Sequence, residues 1–64
     1  MFMISSLWKN VREETNNIRD IVDIVFGITG DEEEGKRAAR LAGDMKVGET
    51  FFSREFNIQC FKEG

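Results

Sequence analysis

An apolar seam recurs every seven residues through the first third of this chain: Ile4, Val11, Ile18 and Val25 are evenly spaced, with Leu7 and Ile21 between them. Residues seven apart lie on nearly one side of an α-helix, so the spacing predicts a long N-terminal amphipathic helix with a polar back. As a parallel coiled coil it would carry β-branched residues at its a positions. Glu14 falls at a d position, however, and Trp8, Val22 and Ile24 flank the seam where a zipper places charges. A stripe that wide packs better against a sheet and a second helix. Ser5 or Ser6 can cap the start of this helix, and Gly27 can close its end. Thr15-Asn16-Asn17 is its weakest stretch, because three poor helix formers compete with the backbone for hydrogen bonds. Asn17 offers an alternative, capping a separate helix over 18–26; one bent helix is the preferred reading.

A chain of 64 residues makes one domain, residues 1–64, near the size at which an unaided core offsets the entropy of folding. Chains this small recruit disulfides, a metal or another subunit. Cys60 is the only cysteine and there is no histidine, so neither an internal disulfide nor the commonest zinc ligand is on offer. Association remains. The expected homo-oligomer interface consists of Ile4, Leu7, Trp8, Val11, Ile18, Val22, Val25 and Phe51, with Trp8 and the phenylalanines as anchors, since large aromatics dominate interface energetics.

Beyond Gly27 the chain changes character. Asp31 with Glu34 three residues on has the spacing of a capping box and predicts a short second helix over 32–42. Acidic residues fill its first turn and Lys36, Arg37 and Arg40 its second half, which complements the helix dipole. Its buried side would be Ala38, Leu41 and Ala42, with Met45 a further candidate, and Gly43 would stop it. In the last third Phe52, Phe56, Ile58 and Cys60 share one parity and Ser53, Glu55, Asn57 and Gln59 the other, the alternation of a half-buried strand. A turn near 53–55 then gives an antiparallel hairpin of roughly 46–52 and 56–62. An amphipathic helix is the competitor, because Phe52, Phe56 and Cys60 also stand four apart. The expected fold is α+β: the long first helix packed on this C-terminal hairpin, with the short helix between them in sequence.

Little in the chain supports catalysis. Without histidine or tyrosine, and with one thiol in an apolar run, no nucleophile or general base stands out. Asp31-Glu32-Glu33-Glu34 lacks the alternate spacing of an EF-hand and reads as a solvated helix start. Gly27, Gly30 and Gly35 match neither GxGxxG nor a P-loop. No enzyme activity, metal or cofactor is expected.

Ala39-Arg40-Leu41-Ala42-Gly43, followed by Thr50 and Ser53-Arg54, resembles the A-x-x-A-G…T-x-S-R pattern of lactose-repressor-type helix-turn-helix proteins. The resemblance implies a DNA-binding transcriptional regulator on residues 39–57, with Thr50, Ser53 and Arg54 in the major groove. Nine basic against twelve acidic residues leave a net charge of −3, which disfavours nucleic acid, and the alternating parity favours a strand with Arg54 at its turn. The leading expectation is therefore a small acidic protein-interaction module, an inhibitor or regulator of virus or mobile-element type. It would bind itself and a larger partner protein. No stretch approaches the length of a membrane span and no positive n-region precedes the first apolar residues, so the expected location is cytoplasmic.

Overall fold

The chain opens with a strand. The computed structural model describes residues 1–62, in the order β1 (Phe2–Ser6), β2 (Arg12–Thr15), α1 (Ile18–Thr29), α2 (Glu32–Asp44), β3 (Thr50–Phe52) and β4 (Phe56–Cys60). The strands form one antiparallel sheet of order β2-β1-β4-β3. The strands nearest the two ends of the chain thus meet at its centre, and the two helices lie together on one face.

This corrects the expectation of a long N-terminal helix with a C-terminal hairpin packed on it. The seven-residue seam is divided among three settings: Ile4 in β1, Val11 in the β1–β2 connection, Ile18 and Val25 in α1. The polar stretch in the middle is why. Asn17 does not sit inside a helix but caps one, its side chain accepting from Arg19 N at 2.9 Å. Thr15 Oγ1 accepts from Asn17 N at 3.0 Å and lies 2.8 Å from Asp20 Oδ2, turning the chain from β2 into α1. Such side chains satisfy the backbone outside a helix better than within one. Upstream, Ile4 gains complete burial by pairing with Ile58, which no solvent-flanked helix could match. Nor are β3 and β4 a separate hairpin platform, since β4 pairs with β1 along its other side.

The core follows from the two periodicities. Ile4 on β1 and Phe56, Ile58 and Cys60 on β4 face the helices. Ile21, Val25 and Ile28 descend from α1 at i, i+4 and i+7. From α2 come Gly35, Ala38, Ala39 and Ala42, a face of small residues that lets the helices approach closely. Met3, Ser5, Thr50, Phe52, Asn57 and Gln59 alternate onto the opposite, uncovered face, as does Arg12, whose Nε lies 3.0 Å from Met3 Sδ.

Helix ends also depart from the sequence expectation. α1 runs through Gly27 and ends at Thr29, with Gly30 in the left-handed conformation (φ +72°) donating to Phe26 O at 2.8 Å. Asp31 caps α2, accepting from Glu33 N and Glu34 N, but its own amide donates to Thr29 Oγ1 at 3.1 Å. α2 then continues through Gly43 to Asp44. Gly27 is thus an interior, exposed helical residue, and a Cβ there would meet nothing within 4 Å. Gly27→Ala should stabilise the fold by roughly 0.5–1 kcal/mol, read as a raised urea midpoint. An unchanged or lowered midpoint would show that the helix does not continue through this position.

Candidate functional site

Three connections converge at one end of the sheet. In the β1–β2 loop, Ser6 N donates to Val11 O at 2.9 Å, and Ser6 Oγ accepts from Trp8 N at 3.3 Å and Lys9 N at 3.2 Å. Asn10 takes a positive φ of 52°, which asparagine tolerates better than most residues. This bonding lifts Leu7 and Trp8 out of the core, leaving them 74% and 76% exposed. The indole is nonetheless directed: Trp8 Nε1 donates to Arg54 O at 3.3 Å, across to the β3–β4 turn. From the helical side comes the α1–α2 connection, where Thr29 Oγ1 donates to Val25 O at 2.9 Å.

Between these connections lies a cleft of about 500 Å³ lined by Trp8, Thr29, Asp31, Glu34, Ser53, Arg54 and Glu55. Three carboxylates and one guanidinium line it beside a large aromatic face. Glu34 also reaches Arg37 Nη1 at 3.7 Å. An acidic wall next to an indole can hold a lysine or arginine side chain, by charge and by cation–π contact. Cys60, the free thiol, is buried at the far end of β4 and takes no part.

The expected interface residues have different fates. Ile4 and Val25 are fully buried in the protein's own core, and Val11, Val22 and Phe51 are half-buried against it. Leu7, Trp8 and Ile18 are exposed, but Ile18 opens α1 at the opposite end from the cleft. Thr50 begins β3, and Ser53 and Arg54 form the turn after it. Residues 39–57 therefore contain the end of α2, a loop, β3 and the start of β4, with no second helix to enter a groove. Sequence reasoning missed Thr29, Asp31, Glu34 and Glu55 as cleft residues, because nothing local places the α1–α2 connection beside the hairpin loop.

Among the described residues no helix is long and apolar enough to cross a membrane, and no group of histidine, cysteine and carboxylate side chains is arranged to hold a metal ion. No family model, curated protein or solved structure matches the chain.

Proposed function

We propose that this chain is a small protein-interaction module, an inhibitor or regulator that docks on a larger partner through the end bearing Leu7, Trp8 and the acidic cleft. The observation that carries the reading is Trp8, three-quarters exposed yet held in direction by its bond to Arg54 O. An exposed indole with restricted rotation loses little entropy on docking, and tryptophan is the residue type most enriched among binding hot spots. Asp31, Glu34 and Glu55 beside it suit a partner surface with a basic residue next to an apolar pocket. Cytoplasmic action belongs to the same proposal, supported by a single unpaired thiol kept inside the core. So does self-association, for which Ile4 and Val25 are spent and other surfaces must serve.

The test is affinity capture from cells of the source organism, with the complex weighed by native mass spectrometry. One stoichiometric partner is expected, and Trp8→Ala should weaken its binding by about 2 kcal/mol or more, roughly thirtyfold, with the melting temperature unchanged. Binding indifferent to Trp8→Ala would contradict this docking end. Salt-sensitive binding to duplex DNA that vanishes with Arg54→Ala would contradict the function itself.

A further inference from the structure

The two edges of the sheet are not equally defended. β2 presents Arg12-Glu13-Glu14 along its length, charges that discourage another strand from pairing there. β3 is Thr50-Phe51-Phe52, without a charge or a proline, and Phe52 is 75% exposed. Phe51 pairs with Ile58, and Ser53 N donates to Phe56 O at 2.8 Å. In an antiparallel ladder alternate residues bond to the neighbour, so the amides and carbonyls of Thr50 and Phe52 point away from β4, toward the open edge.

Beside that edge two depressions lie between β3 and α2 and meet at Phe51. Phe51 lines both; Leu41, Asp44 and Glu49 stand at the Thr50 end, and Arg37, Arg54 and Glu34 at the Phe52 end, where Glu34 pairs with Arg37 at 3.7 Å. Net charge therefore changes sign across Phe51, from two carboxylates at one end to two guanidinium groups and one carboxylate at the other. A two-fold axis through Phe51 exchanges the ends and brings each acidic end against a basic one.

We propose that β3 pairs antiparallel with β3 of a second copy of this chain about that axis, joining two four-stranded sheets into one of eight strands. Thr50 of one copy lies opposite Phe52 of the other, which uses all four outward main-chain groups of each strand. The two Phe51 residues meet as a non-hydrogen-bonded pair, the closer kind, where aromatic side chains gain most. Arg37 of each copy approaches Asp44 of the other, and Arg54 approaches Glu49. The contact is isologous and closed, so it stops at a dimer. It is also short, which places it among weak associations with micromolar dissociation constants. The pairing is independent of docking at Trp8, and the two proposals fail separately.

Sedimentation equilibrium of the full chain over a dilution series tests it, together with isotope-filtered spectra of mixed labelled and unlabelled protein. A monomer–dimer equilibrium and an intermolecular contact between Phe51 α-protons are expected. Phe52→Lys, a change on the uncovered face, should weaken the dimer roughly tenfold or more while leaving the monomer's spectrum folded. Arg37→Asp should weaken it as well, adding Asp44→Arg should restore it, and Asp44→Arg alone should weaken it, a pattern that the helix stability gained from a cation at the end of α2 could not produce. A monomer at every concentration, a dimer indifferent to Phe52→Lys, or a double variant no better than Arg37→Asp alone overturns the proposal. Trp8→Ala should leave the dimer constant unchanged.

Discussion

Gly35→Ala should lower the melting temperature by roughly 8–16 °C, the largest effect expected of any single added methyl in this protein. A Cβ built at Gly35 falls 2.6 Å from Val22 O and 3.3 Å from Val22 Cα. These are backbone atoms of α1, held in that helix's own hydrogen-bond ladder, so they cannot swing aside as a side-chain tip could. Relief requires the helices to separate, which loosens Ala38, Ala39 and Ala42 from the core at the same time. Overpacking of this kind costs about 3 kcal/mol, only partly offset by alanine's better helix propensity. The whole chain has on the order of 3–10 kcal/mol of stability to lose. Gly43 in the same helix is the control: a Cβ there meets Ile18 Cδ1 at 3.6 Å, ordinary contact. Gly43→Ala should therefore be neutral or stabilising by up to about 1 kcal/mol. Equal melting temperatures for the two variants would show that α1 and α2 do not cross at Gly35.

Ile4→Asp should prevent folding, whereas Leu7→Asp should leave stability within about 0.5 kcal/mol of the parent. Ile4 is completely buried between β2 and β4 beneath the helices. An aspartate there would be an unpaired carboxylate in the interior, costing roughly 4 kcal/mol or more. Leu7 stands in the loop with most of its surface in water. A single amphipathic helix would put both residues on one stripe and penalise both substitutions. The strand and loop separate them, so circular dichroism of the two variants distinguishes the architectures directly.

What could be read in the sequence was local. Asp31 signals the start of α2 because a cap and its first turn are neighbours, and Ala38 and Ala42 are buried as their spacing requires, whereas Leu41 is half-buried and Ala39 takes its place in the core. The parity of Phe56, Ile58 and Cys60 is that of β4, whose inward residues are these three, but Phe52, of the same parity, lies beyond the turn and faces the uncovered side. The N-terminal half misleads for a definite reason. A seven-residue period is shared by a helix stripe and by chance alignment of a strand residue, a loop residue and two helix residues. Only the polar run before Ile18, where Asn17 caps α1, hints at the break. β2 carries no alternation at all, since its sole buried residue is Thr15. The decisive pairing, Ile4 with Ile58, joins opposite ends of the chain and leaves no local trace.

The candidate site was legible to the same degree. Trp8 and Leu7 stand out as large apolar residues in a short chain, but their exposure results from Ser6 and Asn10 shaping a loop. The acids at the start of α2 read correctly as a helix terminus. That they also wall a cleft depends on the sheet closing next to them.

The first and last strands of the chain lie side by side at the middle of the sheet. Phe61 N donates to Met1 O at 2.9 Å, so by alternation Ile4 and Ile58 form a non-hydrogen-bonded pair with their α-carbons at close approach. A strong nuclear Overhauser effect between the α-protons of Ile4 and Ile58 is the predicted result. Its absence, with helical contacts between residues three apart running from Ile4 into α1, would contradict the fold and every proposal built on it.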